Sequence, residues 1–243
     1  MKVHIGTSGW SYKEWKGTFY PNELKATDWL EHYSKTFDTT EINNSFYRLP
    51  KAETVLKWAE KVPDNFTFCP KISRYLTHIK QLKEPEEPLE RFFNLFAPIK
   101  EKLGPVLIQL PASVKFDYDI VGYFFGLLKK QYKGYAFALE ARHDTWMEND
   151  ALDLMASHDI AWVISQSGVG FPYSEMVTSR NIYVRFHGPK ELYGSSYTDS
   201  QLKDFADKFK AWLKEGHTIW TYFNNTMNGI AIDNALKLEE LLK

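Results

Sequence analysis

The 243-residue sequence contains a single cysteine, Cys69. One thiol excludes an intrachain disulfide framework and any metal site built from several thiolates, and it suits a reducing compartment. No stretch approaches the roughly 18 uninterrupted apolar residues that a membrane-spanning helix needs. The opening segment, Met1-Lys2-Val3-His4-Ile5-Gly6, enters an apolar run at once and lacks the tripartite pattern of a signal peptide. A cytoplasmic location and no membrane partner are therefore expected. An excess of one charge is missing too: 30 basic residues stand against 31 acidic ones, a net charge of −1. No global field draws such a chain onto nucleic acid or an acidic membrane, although a local patch could do so. Low-complexity tracts and linkers are absent. The densest Pro/Glu stretch, Glu84-Pro85-Glu86-Glu87-Pro88, reads as a loop leading into a helix, because proline is tolerated in a first helical turn. The dinucleotide fingerprint G-x-G-x-x-G is also missing: the first turn reads Gly6-Thr7-Ser8-Gly9-Trp10-Ser11-Tyr12.

What the chain has in excess is aromatic residues, 16% of the total with eight Trp and fourteen Tyr. It also has rhythm. Short apolar runs recur at Val3–Thr7, Thr40–Asn43, Phe66–Lys71, Val106–Leu110, Tyr135–Glu140, Ala161–Ser165, Ile182–His187 and Thr218–Phe223. Most carry β-branched or aromatic residues, as strands do. Amphipathic segments lie between them: Leu24–Thr36, Ala52–Val62, Leu89–Leu103 with a kink expected at Pro98, Tyr118–Gln131 behind an Asp117 cap, Asn149–Ser157, Asp199–Lys214 and Gly229–Lys243. Only Gln166–Arg180 shows no helical period. Eight strands alternating with helices in about 250 residues predict an α/β protein, a closed (β/α)8 TIM barrel forming one domain over residues 1–243.

In such a barrel the site lies at the C-terminal mouth of the strands, and parity along each strand separates interior from helix-facing side chains. That test turns His4, Gly6 and Ser8 inward on the first strand, Glu41 and Asn43 on the second, and Thr67, Cys69 and Lys71 on the third. It does the same for Leu107 and Gln109, for Ala138 and Glu140 with Arg142 just beyond, and for Tyr183, Arg185 and His187. The eighth strand runs out into Asn224. The inward charges fall at the last positions of their strands. An unpaired charge in a low-dielectric interior costs several kcal/mol, so Glu41 and Glu140 neutralised by Lys71, Arg142 and Arg185 could form a structural network. Such a network has no need to favour one end of the barrel, which points to a site. His4, near the opposite end, reads as a core histidine. Cys69, with no histidine beside it in sequence, reads as a small buried apolar group. Trp10, Tyr12, Trp15, Phe46, Tyr47 and Trp146 follow strand ends and could line the mouth, with Trp10, Tyr12, Phe46 and Trp146 expected as an aromatic rim.

The motifs around these positions resemble a known family. They are Gly6-Thr7-Ser8-Gly9-Trp10-Ser11-Tyr12 with Trp15 and Phe19-Tyr20-Pro21, then Glu41-Ile42-Asn43-Asn44-Ser45-Phe46-Tyr47, Lys71 with Thr77-His78, and Gln109-Leu110-Pro111. Glu140 with Arg142-His143 and Trp146 follows, then Arg185, His187-Gly188, Tyr197, and Tyr222-Phe223-Asn224-Asn225 with Ala231, Asn234 and Ala235. The order and spacing resemble the YecE-like family, bacterial and archaeal domains of unknown function, along nearly the whole chain. Small departures stand at Asn44 and Ser45. The resemblance implies a TIM barrel and supplies no reaction.

Three chemistries fit the inward set. The first is an enzyme for a small anionic substrate, with carboxylate or phosphate gripped by Arg142 and Arg185. Glu41 or Glu140 would act as general base and His187 as acid, while Lys71 polarises an oxygen or forms a Schiff base. Ser8, Trp10, Tyr12, Asn43, Gln109 and Asn224 would bind substrate. The second is a metal-assisted phosphodiester hydrolase with Glu41, Glu140 and His187 around a divalent ion. The neighbouring cations disfavour it, and the basic run Lys71, Arg74, Lys80 and Lys83 reads more simply as a solvated face than as a nucleic-acid surface. The third is a non-catalytic barrel that binds a ligand or sugar. No cofactor, structural disulfide or zinc is expected.

Overall fold

The strands of the computed structural model, which describes residues 2–168 and 170–243, are β1 (Val3–Thr7), β2 (Thr39–Ile42), β3 (Thr67–Pro70), β4 (Val106–Gln109), β5 (Phe137–Glu140), β6 (Ile160–Gln166), β7 (Asn181–Phe186) and β8 (Thr218–Phe223). All pair in parallel, in the order β3-β2-β1-β8-β7-β6-β5-β4. A continuous ladder is lacking at the β3/β4 seam. Bridges Phe68↔Leu103 and Lys71↔Leu107 stand there instead, with Ile72 N donating to Leu107 O at 2.9 Å and Gly104 N to Phe68 O at 2.9 Å. The barrel is therefore nearly closed, and its weakest junction is the one between the strands that carry Lys71 and Gln109.

The helices are α1 (Trp29–Tyr33), α2 (Asn44–Tyr47), α3 (Ala52–Glu60), α4 (Glu86–Phe96), α5 (Tyr118–Gln131), α6 (Asn149–Ser157), α7 (Asp199–Lys214) and α8 (Ile230–Leu242). Where sequence carries both a period and a cap, expectation and structure coincide. Asp117 accepts from Ile120 N at 3.0 Å at the start of α5. Thr198 and Gln201 form a reciprocal capping box on α7. At Pro98, which lacks an N–H, α4 gives way to 3-10 turns over Ala97–Lys102, with Ile99 out of helical geometry.

Two expectations need correction. The segment 24–36 is not one helix: a 3-10 turn at Ala26–Asp28 leads into the short α1, and the chain turns over Ser34–Thr36 so that Phe37 enters the core. The βα repeat is also incomplete. The β6–β7 connection holds no helix among its described residues, in keeping with its lack of apolar period.

Side chains alternate between two cores. One lies between strands and helices and includes Ile5, Phe68, Ile108, Leu139 and Val184. The other fills the barrel with Cys69, Leu107, Ala138, Ala161, Val163, Tyr183, Trp220 and Tyr222. His4 stacks on Trp220 at 3.9 Å and 4°, a core histidine as expected. Burial pushes the Cys69 thiol up, and Tyr222 Oη donates to its Sγ at 2.9 Å. Gly104 closes this end: a Cβ there would lie 2.6 Å from both Cys69 Sγ and the Trp220 ring. Among the described residues, no helix is long and apolar enough to cross a membrane.

Candidate functional site

Because successive strand residues face opposite ways, the ends of β2, β3, β4, β5 and β7 deliver Glu41, Lys71, Gln109, Glu140 and Arg185 to one level at the C-terminal mouth. Arg185 is the centre. Its Nε and Nη2 donate to Glu41 at 2.8 and 2.9 Å, and its Nη1 donates to Glu140 Oε2 at 2.5 Å. One guanidinium thus ties β2, β5 and β7 together while only 2% exposed. Burial opposes its charge, but the two carboxylates outweigh burial and raise its pKa further.

The carboxylates are saturated with donors. Glu41 also accepts from Ser8 Oγ at 2.5 Å, Tyr183 Oη at 2.8 Å and Asn43 Nδ2 at 3.4 Å. Burial opposes its ionisation, yet Arg185, Ser8 and Tyr183 hold it below the ordinary carboxylate range. Glu140 Oε1 accepts from Arg142 Nε at 3.1 Å, with Arg142 Nη2 also at 3.1 Å. Against burial, Arg185, His187 and Arg142 hold Glu140 well below that range. Arg142 lies over the Phe171 ring at 4.0 Å. Its Nη1 makes no hydrogen bond among the described residues, and its side chain is 22% exposed.

Lys71 differs from these groups. Its Nζ donates to Gln109 Oε1 at 2.8 Å and lies 4.1 Å from the centre of the Phe46 ring. No carboxylate among the described residues comes within ion-pair distance of it. Burial first, then the Arg185 charge, lower its pKa to about 7, with Glu140 and Glu41 pulling the other way. His187 is fully buried behind Glu140. Its Nδ1 meets Asn224 Nδ2 at 3.0 Å, and its Nε2 lies 3.7 Å from Glu140 without a hydrogen bond. Burial lowers its pKa.

A cavity of about 450 Å³ opens above this floor. Lys71, Arg142, Arg185, Gln109, Asn43 and Asn224 form its polar wall, and Tyr12, Phe46, Tyr47, His78 and Tyr193 its aromatic one. A side cleft of about 170 Å³, reached past Tyr12 and Asn43, touches Ser8, Trp10 and Glu41. A larger groove of about 650 Å³ runs between α5 and α6 at the opposite end of the barrel. Its titratable lining consists of Lys129, Tyr132, Lys133, Tyr135, His158 and Asp159, none of them a residue that the sequence singles out for the site.

The structure brings the expected charged residues together, with two qualifications. Glu140 and His187 stand behind the main cavity wall, and Glu41 faces only the side cleft. The expected rim also changes: Tyr12, Phe46 and Tyr47 line the cavity, but Trp15 is fully buried, with Nε1 donating to Thr226 O at 2.9 Å. The Trp10 indole packs edge-on to Trp58 at 5.3 Å and near Phe68 at 6.3 Å, in the strand–helix layer. Trp146 is buried against Phe116, with Nε1 donating to Val114 O at 3.0 Å. A loop aromatic that follows a strand can fold under the loop as easily as over the mouth. The metal arrangement of Glu41, Glu140 and His187 meets a direct obstacle, because the Arg185 guanidinium stands between the two carboxylates. Sequence reasoning missed His78 and Tyr193 as wall residues. His78 was visible as a polar residue after a strand end, but the π-turn Tyr75–Ile79 that aims it inward has no apolar period. Tyr193 reaches the wall through a positive φ of 68°, which sequence does not announce.

The fold and the floor define a class: a parallel eight-stranded α/β barrel with a buried carboxylate–guanidinium network under a polar C-terminal mouth. The family described as "Protein of unknown function DUF72" matches residues 4–243, and the chain belongs to that family. The UPF0759 protein YecE of Escherichia coli K12 is 32% identical over 111 residues, which cover 46% of this chain and 38% of that protein. The match thus spans less than half the length of that relative. The UPF0759 protein YunF of Bacillus subtilis 168 is 26% identical over 272 aligned positions, covering 99% of this chain and 94% of that one. Among solved structures, a DUF72 family protein of Thermotoga maritima MSB8 superposes with a TM-score of 0.88 at 30% identity, covering 100% of this chain and 99% of the other. A D-psicose 3-epimerase of Clostridium cellulolyticum H10, at 11% identity and a TM-score of 0.53, covering 100% of this chain and 96% of the other, shares the fold alone.

Proposed function

We propose that the protein is an enzyme acting on a small substrate that bears a carboxylate or phosphate, by acid–base chemistry at the C-terminal mouth. One observation carries this reading. Both carboxylates of the network are occupied by Arg185 and Arg142, while Lys71, with no carboxylate partner, and the outer edge of Arg142 meet the cavity. The lysine and arginine groups that face the cavity are Lys71, Arg142 and Arg185, while both carboxylates stand behind its wall, so the guanidinium edges offer donors to an anionic group even when Lys71 is neutral. A volume of about 450 Å³ suits a metabolite of modest size.

In this reading Glu41 and Glu140 are positioning residues for the guanidinium groups. Carboxylates held below their ordinary range are poor bases near neutrality, so the proton-accepting role falls to Lys71, whose pKa of about 7 matches that task. Arg142 grips the anion, Asn43 and Asn224 orient it, and Tyr12, Phe46, Tyr47 and Tyr193 wall it.

Thermal-shift titration tests this. Oxalate, malonate, phosphate and phosphoglycolate, compared with glycerol and glucose, should raise the melting temperature saturably for the anions alone. The shift should vanish in both Lys71→Met and Arg142→Met. Equal stabilisation by the neutral compounds, or an anion response that survives in both variants, would overturn the reading.

A further inference from the structure

We infer that Lys71 is a carbonyl-condensing amine: its Nζ forms an imine with the aldehyde or ketone carbon of a small oxo acid or phosphorylated sugar-like compound. The inference rests on the anion site proposed above and specifies what is attached to the anion.

The case begins with what Lys71 lacks. A buried lysine kept for structure is ordinarily paired with a carboxylate, because an unpaired buried ammonium is costly. Two buried glutamates lie on the same floor, yet both are taken by arginine, and Lys71 Nζ has a single amide oxygen at 2.8 Å. The ammonium form is thus left with donors unmatched, next to two guanidinium groups. The neutral amine suits the position better, with one N–H on Gln109 and its remaining valences toward the cavity.

The residue is also held as a reacting group needs to be. Its backbone N donates to Ile42 O at 3.1 Å, its carbonyl accepts from Ser45 Oγ at 2.7 Å, and it bridges to Leu107 across the seam. The Phe46 face at 4.1 Å excludes water from one side of Nζ. A histidine stands on the same cavity wall. Thr77 Oγ1 donates to Ser73 O at 3.1 Å, so at 2.9 Å it accepts from His78 Nδ1–H. That assigns the His78 proton to Nδ1 and leaves a lone pair on Nε2. Partial burial and the nearby charges of Lys71, Arg74 and Arg142 lower the His78 pKa to about 4, keeping the ring neutral. The Lys71 pKa of about 7 agrees with the geometry without being needed for it.

The step balances without an oxidant or reductant. The Nζ lone pair bonds to the carbonyl carbon, and the C=O π pair moves to oxygen, which takes a proton. Nζ gives up its two protons in turn, one as the carbinolamine forms and one as C=N forms, and the hydroxyl leaves as water with the second. Amine plus carbonyl gives imine plus water. The protonated imine is an electron sink for breaking an adjacent C–H or C–C bond, so the reaction class is lyase or isomerase.

The test is reductive trapping at pH 7 in the full-length protein. Glyoxylate and glycolaldehyde phosphate serve as probes, cyanoborohydride reduces any imine, and peptide mass mapping locates the adduct. A pKa of about 7 against an ordinary lysine value near 10.4 gives on the order of 10³-fold more neutral amine at pH 7. Labelling of Lys71 should therefore exceed that of the average surface lysine at least tenfold, and oxalate should suppress it. Lys71→Arg keeps the charge but cannot form the imine, and should lose that adduct. Labelling spread evenly over the lysines, or none at Lys71 with either probe, overturns the inference. If oxalate and phosphate still stabilise the protein in that event, the anion-site reading stands and only the imine falls.

Discussion

Replacing Arg185 with methionine removes the one cation that Glu41 and Glu140 share. Three charge-assisted hydrogen bonds disappear, at 2.8, 2.9 and 2.5 Å. Each is worth roughly 1.5–3 kcal/mol before the guanidinium's own desolvation is credited back. Breaking a buried pair from one side costs about 3–5 kcal/mol net. Glu140 retains Arg142, whereas Glu41 keeps only Ser8, Tyr183 and Asn43. For a domain of this size each kcal/mol moves the melting temperature by about 2–4 °C, so a loss of roughly 6–20 °C at pH 7.5 is expected.

The pH dependence is the sharper readout. In the wild type both carboxylates have folded pKa values below their unfolded ones. Their stabilisation is complete above the unfolded value near 4.3 and is lost as pH falls through the folded values. In Arg185→Met, burial of Glu41 acts without its cation and raises the folded pKa above the unfolded one. The variant therefore regains stability as pH falls through that raised value. Calorimetric melts of both proteins from pH 8 to pH 5 should show the gap narrowing, and Glu41→Gln added to Arg185→Met should recover much of the loss at pH 7.5. A gap that stays constant or widens toward pH 5, or a loss below about 3 °C, would refute the account of the network.

Three further outcomes follow from other parts of the chain. Lys71 has a folded pKa below its unfolded value, so the folded state binds fewer protons between about pH 7 and pH 10. Wild-type stability should gain a rising contribution over that range, and Lys71→Met should abolish it while stabilising the protein at pH 7 by about 1–2 kcal/mol in urea melts. Asp117→Ala removes the α5 cap and should lower stability by about 1 kcal/mol, measured the same way. Gly104→Ala drives a methyl group against Cys69 and Trp220 and should destabilise by about 1–3 kcal/mol, with a shift in tryptophan emission.

Parity along strands was enough to find Glu41, Lys71, Gln109, Glu140 and Arg185, because a strand's alternation is a local property. Their partners were not legible. That Arg185 would take both carboxylates and leave Lys71 unpaired depends on β2, β5 and β7 meeting across the barrel, at separations of 144 and 45 residues. The roles first suggested for Glu41 and Glu140 as bases came from residue type, and type says nothing about how many donors already surround an oxygen. Helices with a cap and a period, such as α5 and α7, could be read to the residue. The stretch 24–36 could not, since only Trp29–Tyr33 in it is α-helical, and Phe37 just beyond it reaches the core after a turn. His78 and Tyr193 sit in loops, where backbone geometry rather than sequence period decides direction.

The guanidinium that binds three strands also bears on how the barrel can be assembled. Glu41 lies in the first half of the chain, while Glu140 and Arg185 lie in the second. A chain emerging from the ribosome therefore holds the acid of β2 long before its base exists. Until β7 arrives, that carboxylate has every reason to remain hydrated, and the first four strands have a polar interior they cannot dry. The half-barrel is thus a poor independent unit, although β1, β2 and β3 pair with one another. Closure becomes a single late event in which the last third of the chain neutralises a charge laid down in the first.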